Sequence, residues 1–208
     1  MDIVNDYVLG LAASPWIYLI AFGLIAVDGF FPPFPSESVV VALAALSAAG
    51  RGPDIGLLLA AAAAGAIAGD NVAYLGGRAI GRGRLLQLRF RPLVRLVGWA
   101  EAGLAARPGT LFLAARYVPL GRFGVNLTAG AVEYPFRHFL PWSVAAGASW
   151  AAYTVAVGFA AGKWFEAEPL VGMLVAIGVA FALGWLLDLA IGLVRRRRVG
   201  AGRRQRDQ

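Results

Sequence analysis

From Phe139 to Gly162 the chain carries no charged side chain, and the stretch from Ile55 to Gly69 is equally bare. A soluble surface cannot be built from such runs, whereas a helix crossing a bilayer needs about 20 consecutive apolar residues. Composition agrees: 59% of the 208 residues are hydrophobic, only 15% are charged, and the mean hydropathy is +0.68. Soluble domains of this size are usually nearer 25% charged. The chain therefore reads as an all-α polytopic membrane protein.

Five apolar regions are separable. The first, 15–48, is too long for one span and is broken by Phe31-Pro32-Pro33-Phe34-Pro35. The second, 55–77, is almost entirely Ala, Leu and Gly around Asp70. The third, 110–132, is broken at Pro119 and Gly121, and the fourth and fifth cover 139–162 and 170–194. The second, fourth and fifth are long enough to span. The first and third divide into halves that suit re-entrant hairpins, whose irregular tips are tolerated only when buried in protein or lining a wet cavity.

Charge sets the expected topology. Of the 19 basic residues all but Lys163 are Arg, and most fall in two blocks, Arg78 to Arg107 and Arg195 to Arg206. Basic flanks mark the cytoplasmic side, so 78–107 and the tail, 195–208, are expected inside. Glu166 and Glu168 then lie outside, and the spans close by parity only if 15–48 and 110–132 are hairpins opening to opposite sides. That order, hairpin plus span from each side, is the inverted-repeat plan of many transporters. Residues 1–12 are expected as an interfacial helix. Asp2 and Asp6 stand where an export signal needs positive charge, so no cleaved leader is expected. The segment 81–107 alternates Arg with apolar residues and reads as an amphipathic helix at the anionic inner surface, the alternative being a solvated loop. No recognition module accompanies the basic charge, so nucleic acid is not an expected partner. Self-association is left open.

Cys is absent and His138 is the single His, which excludes disulfides, thiol chemistry and any zinc site built on Cys or several His. No metal and no cofactor are expected. A lipid-phosphate enzyme is disfavoured too, because no nucleophile–His–Arg set is present and His138 stands at a helix start.

The informative residues are those charged at bilayer depth, where an ion costs at least a few kcal/mol and needs a partner, water or a function. Asp28 and Glu37 bracket the first break, and Arg116 and Arg122 bracket the second. Two acids facing two arginines form a complementary set. Arg binds oxyanions through a planar two-pronged fork. Low dielectric favours the neutral form of a carboxyl group, so Asp28 and Glu37 are candidate proton carriers. A buried staple that only fixes the fold is the rival reading. Asp70 has two readings of equal weight: a member of the set, or a cap or partner for Arg78 near the inner end of its span. Asn126 is a candidate cavity-lining amide. Gly65-x-x-x-Gly69 and Gly158-x-x-x-Gly162 read as close helix contacts, and Trp142, Trp150, Trp164 and Trp185 as interface or packing residues.

These motifs carry a resemblance. The run from Asp28 to Glu37 resembles the acidic, proline-rich signature of the DedA (VTT, or SNARE-associated) family. Tyr74-Leu75-Gly76-Gly77-Arg78 is similar to its Tyr-x-x-Gly-Arg segment, and Arg116 to Arg122 to its Arg-x-x-Pro-x-x-Arg signature. Ala129-Gly130-Ala131 and Gly147-Ala148-Ser149-Trp150 also fit, while Ser36 stands where Gly is usual. The resemblance implies a bacterial inner-membrane translocase for undecaprenyl phosphate or phospholipid. It implies Asp28, Glu37, Arg116 and Arg122 as essential charges, the arginines on phosphate and the acids coupled to protons. Asp70, Tyr74 and Arg78, and Asn126 as the cavity-lining amide, are expected in support. Membrane lipids are then the partners. A proton-coupled transporter of a small cation or solute is the alternative.

Overall fold

The computed structural model describes residues 14–31, 36–87, 91–118 and 120–164. The expected interfacial helix, residues 32–35, Pro119, the link with Glu166 and Glu168, the span at 170–194 and the basic tail lie outside the described residues. The rest is helical throughout: α1 (Trp16–Phe30), α2 (Ser36–Ala48), α3 (Ile55–Ile80), α4 (Arg82–Gln87), α5 (Arg91–Ala106), α6 (Pro108–Ala115), α7 (Gly121–Ala131) and α8 (Phe136–Trp164).

Two of these are long enough to cross a bilayer. At about 1.5 Å per residue, the 26 residues of α3 and the 29 of α8 exceed a hydrocarbon core of about 30 Å. The other described helices, of 6 to 16 residues, fall short of it. α3 begins where the Asp54 carboxylate accepts the Leu57 N–H at 2.9 Å, supplying one of the bonds a helix start lacks. It ends at Gly81, whose φ of +74° a side chain would resist.

α3 is the spine, and its glycines decide what lies against it. On its first half Gly65 and Gly69 face Phe22, Ala26 and Gly29 of α1, so close that a Cβ on Gly69 would sit 2.6 Å from the Ala26 carbonyl oxygen. On its second half a Cβ on Gly77 would sit 1.9 Å from the Leu127 oxygen of α7, and one on Gly130 would sit 1.8 Å from the Tyr74 oxygen. α8 closes the other side, with Gly158 and Gly162 against Val41 and Ala45 of α2 and Gly147 beside Ile67 of α3. Both small-residue motifs thus serve close helix contact.

Two apolar clusters result. One joins α1, α2, the first half of α3 and the second half of α8 around Ile25, Val40, Leu58 and Trp150. The other joins Tyr74 of α3 to α5, α6, α7 and Phe139 of α8. The segment expected as one amphipathic stretch over 81–107 forms α4 and α5. The apolar stripe of α5, Val97, Ala100 and Leu104, is buried, and Leu96 lies where a Cβ on Gly124 of α7 would be. Trp99 and Val94 remain exposed.

Candidate functional site

Asp70 sits on α3 between the stretch covered by α1 and the stretch covered by α7, which puts it at the seam of the two apolar clusters. Its carboxylate is buried and takes three donors. Arg116 Nη1 donates to Oδ2 at 2.7 Å, Asn126 Nδ2 to Oδ1 at 2.9 Å, and Ser143 Oγ to Oδ2 at 3.3 Å. Ring and charge add to this: the Arg116 guanidinium lies over the Trp150 ring, 5.4 Å from its centroid. Both side chains of the pair are 2% exposed. Removing two charges from solvent costs several kcal/mol each unless further hydrogen bonds complete the site. Asp70 has those bonds; Arg116 does not, for its Nε and Nη2 are buried with no partner among the described residues.

A second pair lies where the helix ends meet. Arg122, in the first turn of α7, donates through Nη2 to the Asp28 carboxylate at 2.9 Å and to the Asp28 carbonyl oxygen at 2.8 Å. Ser36, first residue of α2, donates to the same carboxylate oxygen, Asp28 Oδ2, at 2.8 Å. One carboxylate therefore ties the end of α1, the start of α2 and the start of α7. The side chains here are 15% and 14% exposed. Glu37, also in the first turn of α2, is exposed and has no ion-pair partner among the described residues, though Asp28 and Arg122 lie within electrostatic reach. Its charge suits a helix N-terminus.

The structure therefore brings Asp28 and Arg122 together across the two breaks, but gives Arg116 a partner on α3. Asp70 does not pair with Arg78, which is exposed in the last turn of α3. Pairing followed helix rotation: α3 turns Asp70 inward toward α7 and α8 while Arg78, eight residues on, faces out. Tyr74 is buried away from the charges. Its hydroxyl donates to the Tyr134 carbonyl oxygen at 2.6 Å and its ring stacks on Phe139, 4.5 Å between centroids. Asn126 belongs to the site as an Asp70 ligand.

Ser36, Ser143 and the position of Trp150 under a guanidinium were not foreseen. A signal existed for two of them, since Ser143, Gly147, Trp150 and Thr154 recur at the spacing of one helix face, and all four turn inward on α8. Between the arginines, Leu120 adopts φ +60°, a left-handed conformation uncommon for a branched side chain, and starts α7 from it.

The outer surface completes the class. Trp16, Leu19, Leu57 and Leu75 stand 56–67% exposed, an apolar rim that water would not favour and lipid would. With two helices of spanning length and an ion pair buried against one of them, this is a helical membrane protein. The VTT domain matches residues 34–160, and the chain belongs to that family, the DedA family. A membrane protein of Mycobacterium tuberculosis with no assigned function is 30% identical over 206 residues, 97% of this chain and 86% of the relative. A second membrane protein of that organism is 29% identical over 77% of this chain and 78% of its own. An alkaline phosphatase-like protein of Lactococcus lactis is 29% identical over 79% and 82%. No solved structure matches.

Proposed function

We propose that the protein is a lipid translocase, a flippase or scramblase that moves a phosphate-bearing lipid such as undecaprenyl phosphate or a phospholipid across the bacterial plasma membrane. One observation carries this reading: a buried arginine at a helix break with two guanidinium donors unused. A buried unsatisfied donor is costly, and a fork of two parallel N–H groups is the arrangement that phosphate accepts best. Family membership supports the same reading.

In this reading α1–α2 and α6–α7 are re-entrant hairpins that enter from opposite faces. Each precedes a span, α3 or α8, as two inverted repeats, and the tail lies in the cytoplasm. The short lengths of the four hairpin helices and the repeated order support it. Arg116 and Arg122 hold the phosphate near the midplane. Asp28 and Glu37 carry the coupling proton, Glu37 being the acid without an ion-pair partner among the described residues. The proposed chemistry is movement and not bond cleavage: the serine hydroxyls at the site, Ser36 and Ser143, donate to carboxylates already held by Arg122 and Arg116, and His138 stands at the start of α8, against Tyr134. Acyl chains would stay in the bilayer while only the head group crosses, which requires a lateral opening between the hairpins.

The test is crossing of undecaprenyl phosphate and of phospholipid in reconstituted liposomes, with and without a pH gradient. Arg116→Ala, Arg122→Ala and Glu37→Gln are compared after each is shown to fold. At least a tenfold loss is expected for both arginine variants, and loss of the response to the gradient for Glu37→Gln. Wild type that moves neither lipid under any gradient would turn the assignment toward a solute transporter built on the same charges.

A further inference from the structure

The Arg116 guanidinium is only half used. Nη1 faces Asp70 at 2.7 Å, while Nε and Nη2, which share another edge of the same plane, have no partner among the described residues. That edge is the side-on fork, two parallel donors spaced for two oxygens of one phosphate. The guanidinium carbon lies over the Trp150 ring, 5.4 Å from its centroid, and the unpaired edge is itself buried.

Resting on the reading of Arg116 as the lipid-phosphate residue, we infer that Asp70 is a restraining counter-charge that sets how tightly this edge holds a phosphate oxyanion. Carboxylate and phosphate draw on one guanidinium charge. With Asp70 on Nη1, the fork offers full geometry and a largely neutralised charge. Asn126 and Ser143 donate to the two oxygens of Asp70, which fixes the carboxylate and spreads its charge away from Arg116. A carrier site has to bind well enough to be entered and loosely enough to be left. An unrestrained buried arginine would satisfy the first condition and fail the second. Any phosphate with two free oxygens fits the seat, whether on a lipid head group or as the free ion.

The experiment uses the full-length protein in detergent. Equilibrium binding is read by tryptophan emission, and thermal unfolding by the ligand-induced rise in Tm. The probes are a short-chain phospholipid below its micellar concentration and, separately, inorganic phosphate. Asp70→Asn is expected to bind the short-chain phospholipid at least fivefold more tightly than wild type, with a larger rise in Tm. In vesicles the same variant is expected to move lipid at least threefold more slowly, because release becomes limiting. Asn126→Ala should act in the opposite direction: Asp70, with one donor fewer, holds Arg116 harder, and binding weakens two- to threefold. That variant decides the matter should Asp70→Asn fail to fold. Arg116→Lys keeps the charge without the fork and is expected to abolish the response to both probes. A response to phospholipid alone makes the head group the ligand, and an equal response to inorganic phosphate makes it the oxyanion itself; the inference stands in both cases. Unchanged or weaker binding in Asp70→Asn, or unchanged binding in Asn126→Ala, overturns it. Tighter binding in Asp70→Asn with no lipid crossing in wild type would keep the seat and sink the translocase reading. Crossing in wild type without the change in binding would do the reverse.

Discussion

Two arginines six residues apart on one broken helix meet two different environments. Arg116, just past the end of α6, pairs with Asp70 inside α3, whose other donors, Asn126 on α7 and Ser143 on α8, also lie inside helices, at 2% exposure on both sides of the pair. Arg122 pairs with Asp28 where α1 ends and α2 and α7 begin, at 15% and 14% exposure. Residues inside packed helices cannot shift without moving the helix. Helix ends, with backbone groups unpaired by the helix, can. The comparison teaches that the inner pair is held by packed helices and the outer pair by helix ends that can part.

The largest expected effect is on stability. Arg116→Met leaves Asp70 buried and uncompensated and should cost about 3–5 kcal/mol in detergent unfolding. Arg122→Met removes a pair that keeps some solvent contact and leaves Asp28 its Ser36 donor, and should cost less, about 1–3 kcal/mol. Equal costs would break the comparison. It is sharpened by the double variant Asp70→Leu with Arg116→Met. Replacing both charges by apolar groups of similar size should restore stability to within about 1 kcal/mol of wild type, while lipid crossing stays abolished. A double variant as unstable as the single one would mean that Arg116 contributes through Trp150 and packing, and not through its charge.

Next in size is the contact that sets the inner seat. Gly130→Ala drives a Cβ against the Tyr74 carbonyl of α3, and such overpacking costs about 1–3 kcal/mol. Because α7 also carries Asn126, its displacement should weaken phosphate binding as well. Gly76→Ala, on the same α3 but with nothing within 4 Å, is the control and should gain up to about 1 kcal/mol from helix propensity. If Gly130→Ala left phosphate binding untouched, the seat would not depend on the α3–α7 contact.

Much of this arrangement was legible beforehand, and the reason is energetic. A charge inside an apolar segment must be accounted for, so Asp28, Glu37, Asp70, Arg116 and Arg122 announce themselves. Gly65, Gly69, Gly158 and Gly162 did likewise as contact residues, because spacing on one face is a local property. Partner choice is not local. Whether Arg116 reaches Asp70 or a hairpin acid depends on how α3 is rotated and how far α6 extends before the break, and both follow from glycine contacts between distant segments. The same limit explains Tyr74: its place in the sequence motif says that it matters, yet its hydroxyl serves the Tyr134 carbonyl and not the charges. Ser143 was hidden because a lone serine in an apolar helix has no sequence mark beyond its face.

The smallest expected effect separates strain that serves the site from strain that does not. Leu120 at φ +60° and Glu133 at φ +56° are the two non-glycine residues in left-handed conformation among those described. Glycine relieves such strain, by about 1 kcal/mol at each position. Glu133 lies in the turn between α7 and α8, so Glu133→Gly should stabilise the protein and leave lipid crossing unchanged. Leu120 stands between the two arginines and launches α7, so its backbone sets the direction in which Arg122 leaves the break. Leu120→Gly should give a similar gain in stability together with slower crossing, because the freed backbone no longer aims Arg122 at Asp28. Strain held at a functional position in this way is a known use of sparsely populated backbone. Equal behaviour of the two glycine variants in the crossing assay would show that the conformation at Leu120 is a by-product of the turn, and would leave the outer pair to be aimed by Asp28 and Ser36 alone.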